Sequence, residues 1–248
     1  MTGAPDKLLA VLIDADNIPA RFAEAILKEI TRLGEPALRR VYGDWSSPRL
    51  KPWADKVHAL GLVAHQETAN TKGKNASDIG LVIDAMDILH KGRFDGFVLV
   101  SSDSDFTALA NRIREEGKAV YGIGEAKTPV SLRNVCSQFI LIENLLDEPA
   151  PAGAGAKERT KASETTNPQA PEKRPPTDAI PLIIRAMDKI DQEGEWFSLS
   201  QISNAIRADQ RDFDPRSYGK TKMVDLIKEL KRFETRREGN HIFVRRVD

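Results

Sequence analysis

Apolar positions in the first 147 residues alternate between two periods. Leu9-Ala10-Val11-Leu12-Ile13 and Val98-Leu99-Val100 are unbroken apolar runs cut off by polar residues, as expected of strands buried on both faces. Shorter runs at 37–43, 62–66, 119–123 and 139–142 read the same way. Between them the period lengthens to that of a helix. Phe22, Ala25, Ile26, Ile30 and Leu33 precede Gly34, and Trp53, Val57 and Leu60 precede Gly61. A helix opening at Ser77-Asp78 is expected to turn Ile79, Val82, Ile83 and Met86 inward. Two more are centred on Leu109 with Ile113 and on Leu132 with Val135. Gly122-Ile123-Gly124 reads as a turn at a strand end. Repeated βα units imply an α/β fold, a parallel sheet covered by helices.

The pattern fails between residues 148 and 176, where Pro, Ala, Gly, Thr, Glu and Lys dominate and no aromatic residue occurs. Such a stretch cannot bury a core and is expected to be a flexible linker between a domain at 1–147 and another at 177–248. The second domain predicts helices over 180–190, 200–206 and 219–233. Its end changes period, with 233–237 and 241–245 flanking Glu238-Gly239-Asn240 as a hairpin. Three helices and a terminal hairpin make a small winged helix of the α+β kind.

Composition narrows the chemistry. Lysine plus arginine total 37, equal to aspartate plus glutamate, so any nucleic-acid surface must be local. From Thr177 onward there are 14 basic and 13 acidic residues, so only spatial clustering makes a patch there. A single cysteine, Cys136, excludes an internal disulfide, and the four histidines lack metal-ligand spacing. The beginning of the chain lacks a basic segment followed by an apolar one, and no run is long enough to span a membrane. A cytoplasmic protein without a membrane partner is expected.

Two of the apolar runs end in acids. Ile13 leads into Asp14-Ala15-Asp16-Asn17, and Val100 leads into Ser101-Ser102-Asp103-Ser104-Asp105-Phe106. In open α/β sheets, ligands bind outside the carboxyl ends of the strands. Asp78, at the mouth of its helix, belongs to the same edge. Each of these aspartates could serve as a helix N-cap. Gathered together, Asp14, Asp78, Asp103 and Asp105 would repel one another unless a cation joined them. Oxygen donors without cysteine or clustered histidine suit Mg2+ or Mn2+ rather than zinc.

In their order and separation, Ile13-Asp14-Ala15-Asp16-Asn17, Lys74-Asn75-Ala76-Ser77-Asp78 and Ser101-Ser102-Asp103-Ser104-Asp105-Phe106 resemble the NYN domain, a branch of the PIN-like metal-dependent ribonucleases. The resemblance spans roughly residues 7–145. It implies a PIN-like sheet and RNA hydrolysis by metal-activated water. By this resemblance Asp14, Asp78, Asp103 and Asp105 become the catalytic, metal-holding acids, with Asn17 a polar neighbour of the site and Lys74 a matching basic position; Asn17, Lys74, the adjacent Lys72 and Ser102 are the expected RNA contacts of this domain. Trp196, the segment 213–220, Met223-Val224-Asp225-Leu226-Ile227 and the terminal hairpin resemble the OST-HTH, or LOTUS, domain. That likeness implies contacts to single-stranded or structured RNA. Arg216, Lys220, Lys222, Arg236 and Arg237 are the candidate phosphate contacts, Arg245 and Arg246 are further basic positions, and Tyr218 is a stacking residue. Protein partners are the other use of such a winged helix.

Two competing functions fit parts of the same pattern. A strand ending Asp14-Ala15-Asp16 also suits a phosphatase of the haloacid-dehalogenase type, although no separate Ser/Thr strand end and Lys follow in the required order. A non-catalytic RNA or protein adaptor needs the surfaces without the chemistry.

Overall fold

The computed structural model describes residues 7–66, 76–146, 173–190 and 194–247, in two compact units. The expected linker up to residue 172 and the segment carrying Lys72 and Lys74 lie outside these residues. In the first unit the apolar runs become β1 (Leu8–Asp14), β2 (Glu35–Gly43), β3 (Val63–Gln66), β4 (Gly96–Val100), β5 (Ala119–Gly124) and β6 (Gln138–Leu141). The helices between them are α1 (Ala23–Ile30), α2 (Lys51–Ala59), α3 (Ala76–His90), α4 (Phe106–Glu115) and α5 (Val130–Val135). The strands form one sheet in the order β3-β2-β1-β4-β5-β6, every pairing parallel. The fold is the PIN-like α/β sandwich.

Strand parity distributes the core. Leu9, Val11 and Ile13 join Ile26 and Ile30 of α1 and Trp53 of α2 on one face. Ala10 and Leu12 join Leu81 and Ala85 of α3, Leu109 of α4 and Leu132 of α5 on the other. By the same alternation Asp14 belongs to the face of α3 and α4. The strand order reverses between β1 and β4, so the crevice between their carboxyl ends is the topological switch point.

Two expectations about this unit are corrected. Ile79 and Ile83 are exposed at 62% and 60%; the inward face of α3 is Leu81, Ala85, Ile88 and Leu89, with Val82 and Met86 at its margin. Residues 79 and 83 stand one turn apart on a helix with apolar side chains nearly all round, so periodicity alone leaves its azimuth open. Gly122-Ile123-Gly124 is not a turn but the body and end of β5. Its glycines answer to close packing: a Cβ on Gly122 would stand 2.4 Å from the Phe139 ring, and one on Gly124 would stand 2.6 Å from the Ser101 carbonyl. Gly124→Ala is therefore expected to cost about 1–3 kcal/mol of stability, measurable by denaturant unfolding, since backbone cannot yield as a flexible side chain does. An unchanged midpoint would mean the β4 and β5 ends separate freely.

The second unit contains α6 (Ile180–Lys189), β7 (Phe197–Ser198), α7 (Leu199–Asp209), α8 (Met223–Glu229), β8 (Phe233–Glu238) and β9 (His241–Arg246). The hairpin pairs Glu238 with His241 across its turn and Phe233 with Arg246 at its base. The short strand β7 adds to the other side of β9, completing an antiparallel sheet in the order β7-β9-β8. The third helix is shorter than the sequence suggests. Gly219 adopts a left-handed φ of 76°, and Leu230 is already extended, which confines α8 to the span between. Ile183, Met187, Ile202, Ile206, Leu226 and Val244 fill the small core. Among the described residues, no helix is long and apolar enough to cross a membrane.

Candidate active site

The acid at the end of β1 is built into the sheet. Asp14 is 1% exposed, and three donors reach its carboxylate. The Asn17 backbone N–H donates to Oδ1 at 3.3 Å, the Asn17 side-chain amide to Oδ2 at 2.6 Å, and the Ser101 hydroxyl to Oδ2 at 2.8 Å. Burial raises its pKa, and these hydrogen bonds offset part of the rise. A carboxylate offers about four acceptor sites, and the three donors among the described residues take up most of them.

Ser101 ties β4 to the same point. While donating to Asp14, its Oγ accepts the Asp103 backbone N–H at 3.1 Å. Asp103 Oδ1 in turn accepts the Asp105 N–H at 2.9 Å. The loop is thus wound by its own side chains. Ser102 faces the neighbouring strand end, its Oγ accepting the Glu125 N–H at 2.9 Å. Asp105 occupies the N-cap position of α4, but its side chain makes no capping hydrogen bond, so capping does not account for this acid. Ser101 is the residue that sequence reasoning overlooked. Its place at a strand exit beside two aspartates was the available signal.

Asp78, in the first turn of α3, reports the gathering of charge. Its pKa is raised from 3.8 to about 6, first by burial and then by repulsion from Asp14, Asp103, Asp105 and Asp16. Asp78 therefore lies within electrostatic reach of Asp14, Asp103, Asp105 and Asp16. Among the described residues, no group of three or more Asp, Glu, His or Cys side chains stands ready to enclose a metal ion directly. A Mg2+ ion that keeps several waters needs only one or two direct carboxylates.

The basic residues of the second unit divide differently from the sequence expectation. Tyr218 is 3% exposed and is a core residue rather than a stacking surface. Arg216 folds back on Asp214, its Nε and Nη2 both donating to that carboxylate, and its side chain is only 13% exposed. Lys220 pairs with Glu229. Lys222, Arg236 and Arg237 are exposed, Arg236 pairing with Glu238 and Arg237 donating through Nε to the Gly239 carbonyl. Sequence reasoning gave Trp196 no role at the surface, yet it is the aromatic at the wing: the Arg236 and Arg245 guanidiniums lie 4.6 and 5.0 Å from its ring centroid. Arg245 is also held by Glu234 and Glu195, and Arg246 by Asp188.

The six-stranded parallel sheet flanked by helices has the PIN-like architecture. The chain belongs to the NYN domain family, which matches residues 8–143, and it carries an OST-HTH/LOTUS domain at residues 173–244. Among solved structures it is similar to a protein of unknown function from Vibrio parahaemolyticus, at 21% identity over 57% of this chain and 96% of that one, with a TM-score of 0.48. It is also similar to MurG from Acinetobacter baumannii, at 15% identity over 90% of this chain and 69% of that one, with a TM-score of 0.37. No curated protein matches it.

Proposed function

We propose that the chain is a Mg2+- or Mn2+-dependent ribonuclease, its winged helix recruiting RNA and residues 148–176 acting as the tether. The observation that carries the reading is the junction of two acidic strand ends: Ser101 donates to the buried Asp14 carboxylate and accepts the Asp103 N–H, and the Asp78 carboxyl lies within electrostatic reach of Asp14, Asp103, Asp105 and Asp16. Such a site is unstable as five bare anions and suits a hard cation with oxygen ligands. Asp14, Asp78, Asp103 and Asp105 would hold it, some through water. The chemistry a divalent ion supplies there is polarisation of a phosphoryl oxygen and activation of water as the nucleophile.

The chain's own residues then orient and exclude. Asn17 and Ser101 fix the Asp14 carboxylate in one rotamer, and Ser101 couples it to the Asp103 loop. Burial of Asp14 with three donors on its oxygens counts against its use as a covalent nucleophile, and with it against the phosphatase reading. Lys74 is assigned to substrate phosphate by family likeness, and Lys72, two residues before it in the sequence, joins it as a second basic candidate. The test is cleavage of labelled single-stranded RNA, structured RNA and DNA by the purified protein with Mg2+, Mn2+ or EDTA. Cleavage of RNA that requires the metal supports the proposal. RNA binding without cleavage favours an adaptor, and rapid phosphate release from a small phosphomonoester favours the phosphatase.

Exposed Arg236 and Arg237 on β8 give the recruiter its own test. Replacing both with alanine is expected to raise the enzyme concentration for half-maximal single-turnover cleavage and leave the plateau rate unchanged, because a tethered module raises local concentration rather than doing chemistry. The slope of log affinity against log salt should flatten by about one unit for each arginine that no longer reaches a phosphate. A lowered plateau with unchanged half-saturation would place these arginines in the chemical step instead.

A further inference from the structure

The helix that delivers Asp78 is poorly seated by hydrophobicity alone. Leu81, Ala85, Ile88 and Leu89 of α3 point into the core, but Ile79 and Ile83 project into solvent from another face. Turning the helix about its axis would exchange apolar area for apolar area, so burial discriminates weakly between azimuths. A polar clasp supplies the direction that burial lacks. Arg40 donates through Nη1 to both carboxylate oxygens of Asp84, and the Tyr42 hydroxyl donates to Asp84 Oδ2. Burial pushes the Asp84 carboxyl up, yet hydrogen bonds from Arg40 and Tyr42 more than offset this and hold it below the usual aspartate value.

The clasp is anchored where the acids gather. Arg40 and Tyr42 lie two apart on β2 and leave the sheet on the same face. The parallel register sets Arg40 beside Leu12 and Tyr42 beside Asp14. Tyr42 is fully buried, its ring centroid 5.1 Å from that of His65, so its hydroxyl is a fixed point. Asp78 is six residues before Asp84, about 9 Å along the same rigid helix. At a side-chain radius of about 5–6 Å, a 20° turn of α3 would carry the Asp78 carboxyl about 2 Å sideways. Metal–oxygen distances tolerate about 0.2 Å.

We propose that Asp84, held by Arg40 and Tyr42, is a positioning residue that sets the azimuth of α3 and so aims Asp78 at Asp14 in the cation site. The proposal rests on the acidic-site reading above and adds three residues to it. None of them touches the substrate or the ion. Their effect is on the affinity of the site, through Asp78.

The experiment is Mn2+ binding to the full-length protein by titration calorimetry, with thermal unfolding of every variant alongside. Asp84→Asn is expected to weaken Mn2+ binding about tenfold or more, the size typical of removing a group that orients a ligand. Tyr42→Phe keeps the ring against His65 and the Arg40–Asp84 pair, and should weaken binding by a smaller factor of about three; it carries the test if Asp84→Asn unfolds. The double variant Arg40→Met with Asp84→Leu separates aim from stability. Replacing an ion pair with apolar side chains of similar size commonly preserves stability, but it restores no directional bond. This variant should melt near the wild type and still bind Mn2+ about tenfold more weakly. Recovery of both properties together would overturn the positioning role, as would wild-type affinity in Asp84→Asn and Tyr42→Phe. Asp78→Asn is the reference. If it alone loses Mn2+, the clasp proposal fails and the acidic site stands; if it binds as tightly as the wild type, the acidic site fails and the clasp proposal with it.

Discussion

Asp103→Asn is expected to reduce metal-dependent RNA cleavage on the order of a hundredfold or more, at least as much as losing a group that merely orients a metal ligand. Its fold should be unaffected. Asp103 Oδ1 accepts the Asp105 N–H, and an asparagine carbonyl accepts the same bond in the same shape. What disappears is one negative charge from the set that would hold the cation. The checks are single-turnover cleavage over a range of Mn2+ concentrations and circular dichroism of the variant. A folded variant that cleaves RNA at the wild-type rate would remove Asp103 from the site.

Asp78→Asn is expected to act in opposite directions with and without metal. In the metal-free protein the folded pKa of Asp78 is about 6 against an ordinary 3.8. A raised pKa favours the folded state fully below about pH 4, and that advantage is lost as pH rises through 6. At pH 8 the ionised side chain is therefore a liability that an amide removes. Two pKa units correspond to about 3 kcal/mol, and discounting for the partial exposure of Asp78 leaves about 1 kcal/mol. Without metal the variant should melt about 2–4 °C higher than the wild type at pH 8 and at the same temperature near pH 4. With Mn2+ the order should reverse, because stabilisation by ligand requires the site to bind it. At sub-saturating Mn2+, cleavage by the wild type should fall as pH drops through 6, because the proton then competes with the metal for the carboxyl. A variant that melts lower at pH 8 without metal would contradict the crowding of charge at Asp78.

The parts of the fold and site that were legible in the sequence are those that local chemistry dictates. The runs ending at Asp14 and Val100 had to be buried strands, and a parallel sheet had to bring their carboxyl ends to one edge. Tertiary choices were less visible. Ile79 and Ile83 looked inward because α3 is apolar on several faces, whereas its azimuth is set by Asp84, Arg40 and Tyr42, three residues that apolar spacing does not connect. Gly122 and Gly124 resembled a turn because their true constraint, the approach of Phe139 and the Ser101 carbonyl, lies on other strands. Arg216 and Tyr218 looked available because a basic residue and an aromatic were counted without their neighbours. Asp214 neutralises the first, and the small core of the winged helix absorbs the second.

The proposed function makes the acids at the β1 and β4 strand ends, with Asp78, one divalent-cation site. It is tested most directly by crystallising the protein with Mn2+ and measuring anomalous scattering. The expected result is a manganese peak among Asp14, Asp78, Asp103 and Asp105, with at least one carboxylate bound directly, water completing the shell, and no peak there in Asp103→Asn. A peak elsewhere, or an equally strong one at this edge in Asp103→Asn, would contradict the account.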